Sequence, residues 1–162
     1  MKIEEKVAKL LIQAKKTISI AESCTGGLLS SRLTDIPGSS QFLKLGLVVY
    51  SNEAKIKLLK IPKETIAKYG TVDENIAIKM AEQVRKLFKT DFGIGITGIA
   101  GPTGATKTKP IGLVYIAIST KFDCICFKIL GTVPCGLSPN AKRKNIKNQT
   151  VNFTLKTLLE FL

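Results

Sequence analysis

The sequence contains no histidine. That absence removes every Ser-His-Asp, Cys-His and His-metal arrangement from within the chain. A serine nucleophile here would have only a lysine, a carboxylate or a tyrosine as its base. Cysteine is scarce and wrongly spaced for metal: Cys24, Cys124, Cys126 and Cys135 form no C-x-x-C pair. No zinc site and no other metal site is expected. Cys124 and Cys126 flank Ile125 in an apolar run, so on a strand they share one face. They read as small core residues in a reducing compartment. No apolar run approaches the roughly 18–20 residues of a membrane span. The first residues, Met1-Lys2-Ile3-Glu4-Glu5-Lys6, carry acids and have no long apolar run behind them, unlike a secretory signal. The expectation is a cytoplasmic protein with no membrane partner.

Arginine is also scarce. The net charge of +13 rests on 22 Lys and only 3 Arg, spread along the chain. Such a charge raises nucleic acid as a partner. There is, however, no dense basic block with interleaved aromatics and no nucleic-acid motif. Lysine spread this way reads as a solvated surface, with weak nonspecific adhesion at low salt and no specific nucleic acid.

What is present is an ordinary globular composition, 44% hydrophobic and 23% charged over 162 residues. That length bounds one domain, residues 1–162, with a substantial core. Helix spacing runs through Ile3, Val7, Leu10, Leu11 and Ala14. The β-branched Thr17-Ile18-Ser19-Ile20 reads as a strand and 28–33 as a helix. The stretch 45–50 reads as a buried strand, and 53–59 and 62–68 as short helices. Asp73 to Lys89 is the clearest amphipathic helix. Strands are expected over 91–97, 111–119 and 122–130, the last two as an antiparallel hairpin. Residues 131–140, rich in Gly and Pro, read as a loop before a helix from about Ala141 to Leu162. This order predicts an α/β fold, a three-layer α/β/α sandwich on a mixed, mostly parallel sheet.

Two strand-to-helix junctions carry the chemistry. At Ala21-Glu22-Ser23-Cys24-Thr25-Gly26-Gly27, Ser23 sits where a strand ends, the place where open α/β sheets bind ligands. Thr25 is positioned as an N-cap, and Gly26 and Gly27 leave the following amides uncovered for an anion or oxyanion. The same stretch can equally be read as a capped helix start with two glycines for packing. At Tyr50-Ser51-Asn52-Glu53-Ala54-Lys55, Lys55 falls in the first turn of a helix, where a cation opposes the dipole. It is either a tolerated surface lysine or one held neutral by burial, dipole and nearby cations, able to act as a base. Gly93-Ile94-Gly95-Ile96-Thr97-Gly98 fits G-x-G-x-x-G, but its glycines lie inside a strand and lead into Gly101-Pro102 instead of a helix. Dinucleotide binding is therefore excluded. Those glycines let a helix or ligand approach the sheet. Without histidine, a serine at one strand end and a misplaced lysine at another point to a serine–lysine hydrolase.

The sequence resembles the CinA C-terminal domain family, whose stand-alone members are nicotinamide mononucleotide deamidases. The resemblance is carried by AESCTGG (21–27), LTDIPGSS (33–40), VVYSNEAK (48–55), ITGIAGPTG (96–104) and KPIGLVYIA (109–117). It implies a CinA C-terminal-like amidohydrolase domain that hydrolyses the carboxamide of nicotinamide mononucleotide to nicotinate mononucleotide and ammonia, with no cofactor. The family's nucleophilic serine matches Ser23 and its base lysine matches Lys55. Its tyrosine and asparagine match Tyr50 and Asn52. Thr97 with Gly98, Ala100 and Gly101 would line the nucleotide, together with Thr25 and Gly26. After residue 130 the match weakens: the family's Gly-acid-Arg triplet aligns with Ala141-Lys142-Arg143, where only Arg143 is kept. Arg143 is the choice for the substrate phosphate, because a planar guanidinium suits phosphate oxygens. Main-chain N–H groups at 23–27 or at 98–101 would hold the oxyanion. In larger relatives the domain follows an N-terminal nucleotide-processing domain, which this sequence does not contain. The remaining readings are a catalytically weak binding or regulatory domain and a basic nucleic-acid binder. A homo-oligomer is compatible with all of them.

Overall fold

The computed structural model describes all 162 residues. Six helices and five strands follow the order α1 (Ile3–Gln13), β1 (Ile18–Glu22), α2 (Leu28–Thr34), β2 (Leu43–Val48), α3 (Asn52–Leu59), α4 (Lys63–Tyr69), α5 (Glu74–Phe88), β3 (Phe92–Gly98), β4 (Leu113–Ser119), β5 (Cys124–Leu130) and α6 (Pro139–Glu160). A single 3₁₀ turn, Ser39–Gln41, precedes β2. The strands form one sheet in the order β2-β1-β3-β4-β5. β1 pairs in parallel with β2 and β3, whereas the β3–β4 and β4–β5 pairs are antiparallel. The sheet is mixed as expected. Its parallel share is smaller than expected, because the two antiparallel pairs carry the longer registers.

β1 occupies the point where the chain changes direction across the sheet. It leads first to β2 on one side, then, through α3, α4 and α5, to β3 on the other. A crevice opens at the carboxyl end of such a strand, because its two neighbours are approached from opposite sides. All five residues of β1 are buried. Both faces are covered. One apolar cluster joins Val7, Leu11, Leu29, Leu33, Ile146, Val151 and Leu155 to Ile18 and Ile20, and so seats α1, α2 and α6 on one face. A second joins Ile76, Met80 and Val84 of α5 to Leu59, Ile66 and Ala21 on the other. No helix is long and apolar enough to cross a membrane.

The glycines of β3 belong to this packing. A Cβ at Gly95 would stand 2.3 Å from the Ala77 carbonyl and 2.6 Å from the Ala81 nitrogen of α5; one at Gly93 would stand 2.1 Å from the Ala81 carbonyl. Small residues on both surfaces therefore let α5 lie directly on the sheet.

Three local expectations need correction. Thr25 does not cap α2: Gly27 precedes the helix, no side chain of that residue caps it, and the Glu22 carboxylate takes the role instead. α6 begins at Pro139, two residues earlier than read, because Ser138 Oγ accepts from Ala141 N and proline suits the first helical position. Cys124 and Cys126 do share a face, but they are only half-buried beside Ala77, Ala81 and Ala117, since β5 is an edge strand that α5 covers in part.

Gly95→Ala is expected to destabilise the fold by about 1–3 kcal/mol in chemical denaturation, through overpacking against α5. Gly131→Ala, where no atom lies nearer than 3.4 Å to the added carbon, is the control and should change little. Equal effects at the two sites would refute the close-approach account.

Candidate functional site

Ser23 follows β1 directly. Its N–H donates to Ile96 O (3.0 Å), while Val49 N donates to Glu22 O (2.8 Å), so the ends of three parallel strands are tied together around it. Glu22 is fully buried. Its carboxylate accepts from the N–H groups of Gly27 (3.1 Å), Leu29 (3.1 Å) and Ser30 (2.9 Å), and from Ser30 Oγ (2.7 Å). An internal anion thus collects the orphan donors at the amino end of α2 and fixes the turn that carries Ser23.

Lys55 reaches the same point from the other side of the crevice. Ser51 Oγ caps α3 by accepting from Ala54 N (3.0 Å), which aims the lysine back towards β1. Its side chain is completely buried. Nζ donates to Val49 O (2.8 Å) and Tyr50 O (3.3 Å), and lies 3.2 Å from Ser23 Oγ. With two tetrahedral positions given to carbonyls, the third faces the serine hydroxyl. In the free amine that position is available to the lone pair. Burial is the first cause that draws the Lys55 pKa from 10.5 down to about 8, and the nearby Cys24 sulfur opposes it. No neighbouring cation contributes, contrary to the sequence reading, and Lys55 makes no ion pair.

Cys24, the adjacent potential nucleophile, is buried, and desolvation pushes its thiol up to about 12. It stays protonated at neutral pH and is a poor nucleophile.

Ser23 opens into a cavity of about 310 Å³. Its walls come from Cys24, from Tyr50, from Thr71 and Val72 before α5, from the loop Gly98–Gly101 with Thr103 and Gly104, and from Arg143 of α6. Arg143 spans the mouth: Nη1 donates to Gly101 O (2.6 Å) and Nη2 to Tyr50 Oη (2.9 Å). A larger hollow of about 520 Å³ lies at the amino ends of the strands, around Lys16, Asp91 and Phe122. There Lys16 pairs with Asp91 (2.9 Å), and Thr120 Oγ1 donates to Asp123 Oδ1 (2.6 Å) within a turn.

Of the residues singled out in the sequence, Ser23, Lys55, Tyr50, Gly98, Ala100, Gly101 and Arg143 converge here. Lys55 reaches Ser23 from behind the lining, and four others neither line the cavity nor reach Ser23. Thr97 is fully buried and its Oγ1 donates to Thr71 O (2.8 Å); Asn52 is exposed and its Oδ1 accepts from Thr71 Oγ1 (2.8 Å). Both therefore hold Thr71, a wall residue that strand and helix patterns did not single out. Thr25 is buried with its Oγ1 unpartnered, and Gly26 packs towards Lys147. Both were carried past the cavity by the turn that Glu22 sets.

The sequence profile described as CinA C-terminal domain matches residues 1–162. The chain is 45% identical over 150 residues to a "CinA-like protein" of Endomicrobium trichonymphae, covering 93% of this chain and 33% of that protein. It spans about a third of the length of the curated relatives it matches. Among solved structures, the competence/damage inducible protein CihA from Agrobacterium tumefaciens superposes with a TM-score of 0.87 at 32% identity, covering 99% of this chain and 96% of that one. The competence damage-inducible protein A (ComA) from Klebsiella pneumoniae subsp. pneumoniae MGH 78578 superposes with a TM-score of 0.89 at 27% identity, covering 98% and 93%. A profile match along the whole chain and a shared fold at this identity place the protein in one family: the chain belongs to the CinA C-terminal domain family.

Proposed function

We propose that this domain is a serine–lysine amidohydrolase that converts nicotinamide mononucleotide to nicotinate mononucleotide and ammonia. The observation that carries the reading is the buried Lys55 amine 3.2 Å from Ser23 Oγ, with its pKa drawn down to about 8. At pH 7 roughly a tenth of such an amine is free, against about one part in 3,000 at its ordinary pKa. Free Lys55 takes the proton of the Ser23 hydroxyl as Oγ adds to the carboxamide carbon. The C–N bond then breaks, Lys55 returns the proton to the departing nitrogen, and ammonia leaves. Water repeats the sequence on the acyl-enzyme. The substrate phosphate would meet Arg143, whose guanidinium has only neutral oxygens as partners in the structure and no carboxylate. Exchange of the Tyr50 hydroxyl and Gly101 carbonyl for phosphate oxygens gives stronger, charge-assisted bonds.

Incubation with nicotinamide mononucleotide and measurement of released ammonia tests the reaction. The wild-type protein should release one ammonia per nicotinate mononucleotide formed. Ser23→Ala should abolish the release while Cys24→Ala keeps most of it. The reverse pattern would make this a cysteine enzyme, and a silent wild type would leave only a binding or regulatory domain.

Arg143→Ala should lower the ratio of kcat/KM for the mononucleotide to that for nicotinamide riboside by about 10- to 150-fold, the loss of one charge-assisted contact. An unchanged ratio would show that Arg143 only braces the cavity mouth.

A further inference from the structure

Buried main-chain N–H groups nearly always have an acceptor. Around Ser23 most are already engaged. Ser23 N donates to Ile96 O, Gly26 N to Ser23 O, Leu28 N to Thr25 O, and Ile99 N to Leu113 O. Gly27, Leu29 and Ser30 all donate to the Glu22 carboxylate. The amino end of α2 therefore holds an internal anion and has no free donors for a second. Four buried residues remain whose N–H groups donate to no other residue: Cys24, Thr25, Ala100 and Gly101. Thr25 does not line the cavity, whereas Cys24, Ala100 and Gly101 do. Of these, Ala100 and Gly101 are consecutive and offer a pair of donors from one wall.

That wall is anchored through Ile99, which both accepts and donates: Gly112 N donates to Ile99 O (2.7 Å), and Ile99 N donates to Leu113 O (2.9 Å). Gly101 has φ +75°, and a Cβ there would stand 2.7 Å from Ile111 Cγ2. Two neighbouring donors without acceptors, held by a fixed loop beside a nucleophile, are what a developing oxyanion requires.

We propose that the main-chain N–H groups of Ala100 and Gly101 form the oxyanion hole of this site. The inference rests on the amidohydrolase reading above. As Ser23 Oγ bonds to the carboxamide carbon, the carbonyl π pair moves onto oxygen and the hydroxyl proton passes to Lys55. The two N–H groups receive that oxygen without first breaking a bond of their own. On collapse the pair re-forms the carbonyl, the C–N bond breaks, and nitrogen takes the proton from Lys55.

Main-chain ester variants test this, with lactic acid in place of Ala100 or glycolic acid in place of Gly101, each deleting one N–H. With nicotinamide mononucleotide as substrate, each should lower kcat by roughly 10²- to 10³-fold with KM nearly unchanged. Glycolic acid in place of Gly136, an exposed loop residue outside the cavity, should leave kcat near wild type. If both loop esters keep wild-type kcat, the assignment is overturned. If the wild type itself releases no ammonia, the amidohydrolase reading has failed first. A second measurement needs no variant: pyridine-3-carboxaldehyde mononucleotide forms a hemiacetal with Ser23. The amide protons of Ala100 and Gly101 should then shift downfield in ¹⁵N-resolved spectra of the labelled protein, and that of Gly27 should not. Adduct formation without those shifts would also overturn the proposal.

Discussion

A buried amine without a carboxylate partner is the constraint on which this structure turns. Lys55 has no exposed surface and no ion pair. Holding it there in its charged form opposes folding. A fall in pKa from 10.5 to about 8 corresponds to a cost on the order of 3 kcal/mol at neutral pH. The sign follows from proton linkage: the cost is full below the folded-state pKa, and is relieved as pH rises from about 8 to 10.5, where the unfolded chain still binds the proton. A lysine at that position is tolerated because the carbonyls of Val49 and Tyr50 receive its N–H groups. The same two bonds leave its third position facing Ser23.

The rest of the fold arranges that encounter. β1 is buried at the centre of the parallel half of the sheet, and its neighbours diverge at its carboxyl end. The gap is where Ser23 and Lys55 meet. Glu22 sets the turn by gathering the α2 amides, and in doing so removes the most obvious anion site of the fold. The proposed contacts to oxyanion and phosphate therefore fall to the other wall, the loop Gly98–Gly101 and Arg143. The glycines of β3 serve packing instead: they admit α5, whose amino-terminal approach carries Thr71 and Val72 into the cavity.

Much of this was legible in the sequence, because the informative signals are local. The absence of histidine narrowed the base to a few residue types. Periodicity located the two strand-to-helix junctions, although Thr25 does not cap the first, so Ser23 and Lys55 could be named from their places in the chain. The hairpin of β4 and β5 was equally readable. What depended on through-space geometry was not. Glu22 reads as the last residue of a strand, and only the turn shows its carboxylate folding forward onto amides five to eight residues ahead. Thr97 and Asn52 carry polar groups near the site, yet both are used on Thr71. The placement of β1 between β2 and β3, and hence the reduced parallel share of the sheet, follows from crossover paths that no local pattern records. Proline at 139 reads as a loop signal by itself, yet after Ser138 it opens a helix.

The central claim is that Lys55 acts as a proton acceptor. The direct measurement is the pH dependence of kcat/KM for nicotinamide mononucleotide in wild type and in Lys55→Arg. The wild-type profile should show an acidic limb with a midpoint near 8, as expected for the buried amine. Activity should rise with pH as that amine loses its proton. Lys55→Arg should be inactive throughout, because a guanidinium stays protonated in this range. Near wild-type turnover in Lys55→Arg would show that the position supplies only positive charge, and would contradict the serine–lysine mechanism.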